Sequence, residues 1–277
     1  MAINWYPGHM VKAKREIREN MKLVDIVVIL VDARAPFSCR NKELEEIVGH
    51  KPIVFILNKN DLAIAEQVRG YKEALEQEGF AVASIDSISG KGSKEVVNIL
   101  RETYQPIADK MLEKGRRVRP ARIMVVGVPN VGKSTFLNTM VGKKMVKTGP
   151  KPGVTRGKQW IRKKDIEFMD TPGLMWPKIE NEEQGLKLAL LDIVGENSYQ
   201  EYQVALYLIK VLRLKAPEIL REKFKLDSID GEDSQLLEGI SRSRGHLVKG
   251  GGLDLEKTAH VLLQEFRRGS LVRLCLD

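Results

Sequence analysis

The stretch that most constrains this chain is Gly127-Val-Pro-Asn-Val-Gly-Lys-Ser134, a glycine turn between an apolar run, Ile123-Met-Val-Val126, and a helix-forming stretch, Thr135-Phe-Leu-Asn-Thr-Met140. Strand, glycine turn and helix in that order make the setting of a phosphate-binding loop. The two glycines let successive backbone N–H groups turn inward on a di- or triphosphate, and the positive end of the following helix adds to their field. Asn130, Val131, Gly132, Lys133, Ser134 and Thr135 then line the phosphates. Lys133 reaches the β- and γ-phosphates, and Ser134 offers its hydroxyl to Mg²⁺.

Upstream, Asp25-Ile-Val-Val-Ile-Leu-Val-Asp32 and Ile53-Val-Phe-Ile-Leu57 read as buried strands, and Val82 to Asp86 as a shorter one. Helical patterns over 42–48, 65–78 and 93–114 alternate with them, which predicts a mostly parallel sheet covered on both faces. The expected fold class is an α/β P-loop domain over residues 1–177, entered by a basic helix at 7–22, then a small all-α domain over 178–277. In that second part, Ser198-X-X-Glu201 reads as a capping box opening a helix that ends before Pro217. Val204, Leu208, Val211 and Leu212 form its apolar stripe, and Asp254 is expected to cap a last helix that turns Val261, Leu262 and Phe266 inward.

Asn58-Lys-Asn-Asp61 follows a strand directly, at the sheet end where open α/β folds bind ligands. The Asp61 carboxylate suits guanine, whose N1–H and 2-amino group are adjacent donors for a charge-assisted bidentate pair. Adenine has no such donors, which argues against an ATP-using kinase. Lys59 would lie over the base and Asn58 would brace the loop. Ser87, Ile88 and Ser89 form a turn whose N–H groups can face the guanine O6. Beyond the P-loop, Val141 to Lys158 holds no acid and is loop by composition, with Thr155 as the hydroxyl that grips Mg²⁺ beside a γ-phosphate. The strand Ile166-Glu-Phe-Met169 ends in Asp170-Thr-Pro-Gly173, where Asp170 would meet the Mg²⁺ shell, partly through water, and the Gly173 N–H would sense the γ-phosphate.

The formal charge of +9 is unevenly spread: Lys110 to Lys164 holds sixteen Lys or Arg against one acid, Glu113. Such a local excess points to a phosphate backbone as partner. Lys12, Lys14, Arg15 and Arg18 on the N-terminal helix, with Lys151, Arg156 and Lys158, are the candidate RNA contacts. Residues 178–277 are near balance, at fifteen basic against seventeen acidic residues. Two cysteines, Cys39 and Cys275, allow no disulfide framework and no zinc cluster. With no signal-peptide pattern and no apolar run long enough to cross a bilayer, the expectation is a cytoplasmic protein without a membrane partner. A monomer is the expected state.

The order base reader, Ser-Ile-Ser turn, P-loop, Thr loop, Asp-Thr-Pro-Gly rotates the usual GTPase order, in which the P-loop comes first. The chain resembles the circularly permuted P-loop GTPases. Trp5-Tyr-Pro-Gly-His-Met10 and Asp32-Ala-Arg-Ala-Pro36 make it similar to the ribosome biogenesis GTPase A, or YlqF, type. The resemblance implies a GTPase acting in late assembly of the bacterial large ribosomal subunit, with GTP and GDP as ligands and ribosomal RNA as partner. Leu174 stands where Ras-like enzymes carry a water-orienting Gln, so a slow intrinsic rate is expected. The resemblance offers His9 as the water-positioning residue beside the catalytic Lys133 and Thr155, and Asn130 as a ligand for a stimulatory K⁺. The alternative is a nucleotide-gated RNA-binding module whose hydrolysis is incidental.

Overall fold

The computed structural model describes residues 15–142, 159–170, 179–195 and 199–277. They fall into a sheet unit, which includes Asp277, and a helical unit spanning Ile179–Leu276.

The sheet unit is built on β1 (Ile26–Asp32), β2 (Ile53–Asn58), β3 (Ala81–Ile85), β4 (Ala121–Gly127), β5 (Gln159–Lys163) and β6 (Ile166–Asp170). Its strand order is β3-β2-β1-β4-β6-β5. All neighbours run parallel except the β5–β6 hairpin. Every residue of β1 is buried, as a central parallel strand covered on both faces requires. The helices are α1 (Lys42–Val48), α2 (Ala65–Gln77), α3 (Ser93–Glu113) and α4 (Lys133–Val141). Asn41 caps α1 by accepting from the Leu44 N–H. Phe136 of α4 meets Phe168 of β6 edge to face, ring centroids 6.4 Å apart, which seats the P-loop helix on the sheet.

The sequence reading locates β1 to β4 and β6 within a residue or two but misses β5. Its five residues, Gln-Trp-Ile-Arg-Lys, bury only Ile161 among the described side chains, so they lack an apolar run. Residues 15–21 are helical, with Ile17 and Met21 buried and Arg15 and Arg18 exposed, in line with the expected amphipathic helix.

The helical unit contains α5 (Glu182–Leu190), α6 (Glu201–Lys215), α7 (Asp233–Arg244) and α8 (Leu255–Arg267). Val204, Leu208, Val211 and Leu212 of α6 are buried as expected. Ser198, expected to open a capping box, lies outside the described residues; α6 itself begins at Glu201, with Gln200 as its N-cap and no side-chain cap. A capping box does occur at Glu232 and Gln235 of α7, where Glu rather than Ser accepts from the first turn. Asp254 caps α8 by accepting from the Lys257 N–H. Leu263 is buried along with Leu262 and Phe266, whereas Val261 is only partly so. Arg267 holds this unit together from within, donating to the Ala189 carbonyl at 2.9 Å and to the Tyr199 hydroxyl at 2.6 Å.

The linker after α3 enters β4 beside the start of β1. The Asp25 carboxylate accepts from both Arg119 terminal nitrogens, at 2.7 and 2.8 Å, and from the Arg122 N–H at 2.9 Å. This fork fixes the joint at which the permuted chain rejoins its sheet. Asp25→Ala should lower unfolding free energy by about 1–2 kcal/mol, a range reduced for the partly exposed guanidinium. A urea double-mutant cycle with Arg119→Ala should show most of that loss as coupling between the two residues.

Candidate functional site

The site lies at the carboxyl ends of β1, β2 and β4, where strand pairing brings segments distant in sequence together. Gly127 closes β4 opposite Leu30 of β1, and a Cβ there would lie 2.4 Å from the Leu30 carbonyl oxygen. The chain turns through Asn130 (φ +55°) and Gly132 (φ +96°) into α4. Gly132 is doubly required: its φ is left-handed, and a Cβ would stand 2.6 Å from the Asn58 side-chain nitrogen. Lys133 is buried, and its ammonium donates to the Gly127 and Val128 carbonyls, both at 2.9 Å. The amino group thus sits inside the curl of the loop, above the first turn of α4, with Ser134 and Thr135 half-buried beside it.

Asn58 braces this loop, and it does so across three segments. Its amide NH₂ donates to the Val131 carbonyl at 2.8 Å, while its oxygen accepts from the Ser87 hydroxyl at 2.6 Å and the Ser87 N–H at 3.3 Å. Lys59 adopts φ +57° and donates to the Asn130 carbonyl at 2.8 Å, a second tie from the base-reading stretch to the P-loop. Asp61 follows in a short 3₁₀ turn, Asn60–Leu62. Partial burial, and then repulsion from Asp86, raise its carboxyl above the ordinary carboxylate range.

Beneath Lys59 lies a buried charge cluster with no assigned purpose in the sequence. Arg34 donates to the Asp32 carboxylate through Nε and Nη2, both at 2.9 Å, and Lys59 Nζ stands 3.2 Å from the same carboxylate. Burial pushes Asp32 upward, but the charges of Arg34 and Lys59 and the guanidinium hydrogen bonds outweigh it and hold the carboxyl well below its usual range. Asp32 stays ionised and so fixes where the Lys59 ammonium stands. Burial raises the Cys39 thiol far above its ordinary value, which makes it an inert core group.

The Ser87–Ser89 turn departs from its reading. The N–H groups of Ile88 and Ser89 donate to the Asp86 carboxylate, which also takes the Ser89 hydroxyl, and the Ser87 N–H is held by Asn58. These donors close the turn on itself, leaving Ile88 exposed at its tip. The signal was an Asp two residues ahead of the turn's N–H donors, an Asx-turn spacing. Thr139 of α4 donates to the Ser87 carbonyl and seats the turn against the P-loop helix.

The structure therefore joins Asn58, Lys59, Asp61, Ser87, Ile88, Ser89, Asn130, Val131, Gly132, Lys133, Ser134 and Thr135 at one sheet end. His9, Lys12, Lys14, Lys151, Thr155, Arg156, Lys158 and Gly173 lie outside the described residues, as does the side chain of Asp170. The Asp170 backbone pairs in register with Val125 of β4, beside the strand that ends in the P-loop. Arg15 is exposed and donates to Glu19 at 2.8 Å.

Asn58→Ala removes three hydrogen bonds at a buried position and leaves the Val131 carbonyl unpaired. It should lower unfolding free energy by about 2–4 kcal/mol, read from the urea midpoint. Asn58→Asp keeps an acceptor for Ser87 yet sets a carboxylate against the Val131 carbonyl, so it should destabilise as well. An Asp variant as stable as wild type would show that the bond to Val131 contributes nothing.

A protein-family model described as a 50S ribosome-binding GTPase matches residues 122–242. The Ribosome biogenesis GTPase A of Bacillus cereus is 39% identical over 278 residues, covering 100% of this chain and 94% of that protein. Two solved structures have the same fold: GNP-bound YlqF from T. maritima, at TM-score 0.67 and 27% identity over 96% of this chain and 97% of that one, and GDP-bound TM YlqF, at TM-score 0.68 and 26% identity over 95% and 98%. With a 39% identical relative matched across the whole of this chain, and a P-loop and base-reading stretch joined at one sheet end, this chain belongs to the ribosome biogenesis GTPase A family of circularly permuted GTPases.

Proposed function

We propose that the protein is a GTP-hydrolysing assembly factor that binds the large ribosomal subunit in a GTP-dependent way and promotes its late maturation. The observation that carries this reading is the pair of ties from Asn58 and Lys59 to the P-loop, which set the Asp61 carboxylate and the Lys133 ammonium at one sheet end. A single nucleotide can there meet a base reader and a phosphate cradle. Asp61 accepts from the guanine N1–H and amino group, Lys59 lies along the base, and the P-loop N–H groups and Lys133 hold the phosphates.

Mg²⁺ fits the donors at this end. The Ser134 hydroxyl in the first turn of α4 is a hard oxygen ligand of the kind it takes, and the Thr155 hydroxyl and Asp170 carboxylate expected from the sequence would be others. Bound there, it would neutralise charge on the β- and γ-phosphates. His9 would position the attacking water in place of the Gln absent at Leu174, and Asn130 in the P-loop would hold a K⁺, whose positive charge would aid hydrolysis. GTP orders the segments around Thr155 and Asp170 and so readies the helical domain for the subunit; hydrolysis releases the factor. Leu174 also favours a second reading, a nucleotide-gated RNA-binding module with incidental turnover.

The two readings separate on GTP turnover in KCl, measured with large subunits and with small subunits as control. The first expects strong stimulation by large subunits alone and a fall of more than threefold in that stimulated rate for His9→Ala; no stimulation leaves the second. Equal rates in KCl and NaCl would remove the K⁺ role.

Asp61→Asn should weaken GTP binding by about 30–1000-fold, because a charge-assisted bidentate pair becomes a donor facing donors. The same variant should gain affinity for xanthosine triphosphate, whose 2-oxo group accepts. In the wild type, guanine recognition needs Asp61 ionised and its free carboxyl is raised, so the loss of GTP affinity as pH falls should begin at a higher pH than an ordinary Asp would give. Isothermal titration at a series of pH values checks both statements.

A further inference from the structure

At the opposite end of the sheet, where β4 and β6 begin, a groove of about 480 Å³ runs between α3, the linker after it and the β5–β6 hairpin. Its floor is apolar, with Leu100, Tyr104 and Pro120, and Arg119, Arg162 and Lys164 stand around it. The hairpin turns tightly through Lys164 (φ +53°), which presents Lys163 and Lys164 at its tip.

Two kinds of basic residue meet here. Arg119 and Arg101 are spent on structure, forked onto Asp25 and Asp165. Arg116, Arg117, Arg162, Lys163 and Lys164 are exposed and make no ion pair among the described residues. Glu167, the acid paired in register with Arg162, is already engaged by Arg122 at 3.2 Å.

Beside this charge lies an aromatic surface. Trp160 is on the edge strand, 38% exposed, on the same face as Arg162. The Arg122 guanidinium sits 5.5 Å from its ring centroid, which supports the indole in place. A large aromatic kept partly in water at a sheet edge, backed by an arginine and followed by unpaired cations, is a stacking platform next to a phosphate track.

We infer that Trp160 and the cations of the β5–β6 hairpin and the α3–β4 linker form a binding surface for unpaired RNA, with a base stacked on the indole and phosphates held by Arg162, Lys164, Arg116 and Arg117. This deepens the ribosomal reading above and rests on it for the source of the RNA. The surface takes single strands or loops, because a duplex keeps its bases stacked inside and offers nothing to the indole. Its hairpin tip and linker lie where β4 and β6 begin, while Trp160 stands farther along the sheet, in register with Met169 of β6.

The test uses the full chain and a fluorescein-labelled 12-nucleotide single-stranded RNA, followed by anisotropy over a range of KCl concentrations. Trp160→Ala should weaken binding about tenfold at every salt concentration and leave the salt slope unchanged. Arg162→Glu/Lys164→Glu should weaken binding and also flatten the slope by about 0.7 for each phosphate that the variant no longer neutralises. Both variants should bind GTP as wild type does, which certifies their fold, and the wild type should prefer the single strand to a duplex of equal length. Wild-type RNA affinity in both variants would overturn the inference. So would an unchanged affinity in Trp160→Ala with equal losses for RNA and poly-glutamate in the charge-reversed variant, since the patch would then be a general polyanion or acidic-protein surface. Cosedimentation of wild type with large subunits is scored separately: its failure removes the ribosomal reading, while the oligonucleotide result still decides this surface.

Discussion

The side-chain amide of Asn58 is the point on which the site depends. One buried group donates to the P-loop at Val131 and accepts twice from Ser87, so three loops drawn from distant parts of the chain share a single reference. The amide is suited to this because it carries donors and acceptors on one rigid plane. It also dictates its surroundings: Gly132 must lack a side chain because Asn58 fills the space. Lys59, next in sequence, is steered by the Asp32–Arg34 pair below it, so the two neighbouring residues that touch the P-loop are each fixed from a different side.

Those charges sit deep in the sheet, where an ion pair is weak evidence of added stability but good evidence of fixed geometry. Asp32 receives a guanidinium on one side and an ammonium on the other, and removing either would leave the remaining charge badly compensated. The Asp-Ala-Arg spacing turns the end of a strand into a stand for the lysine of the next loop. A base-reading loop held this way reports its position to the phosphate loop through the Asn130 carbonyl.

The sequence was legible where one force dominated. Continuous apolar runs marked β1, β2 and β4 because parallel strands bury both faces, and the P-loop marked itself because its backbone demands glycine. β5 was illegible because an edge strand buries one face at most, and its remaining residues are chosen for solvent and, on the reading above, for RNA. The Ser-X-X-Glu pattern did not fix where α6 begins: it starts at Glu201 behind an uncapped Gln200, while the box at Glu232 and Gln235 uses residue types that the pattern did not single out. The Ser87 turn was found, but its N–H groups were given to a ligand when Asp86 stood close enough to take them. Nothing in the sequence alone joined Arg34 to Lys59, since their meeting depends on the parallel register of β1 with β2.

The strand order has a consequence for synthesis of the chain. β1, β2 and β3 emerge first and can pair as they leave the ribosome, but the other side of β1 is reserved for β4, which begins only at Ala121. Until then a fully buried strand of the finished protein presents an open, apolar edge, the kind of template that recruits foreign strands. At ordinary elongation rates that exposure lasts several seconds. The sheet's centre thus waits for β4 to be made, about 90 residues after β1, and α3 and its basic linker are the last segments synthesised before closure.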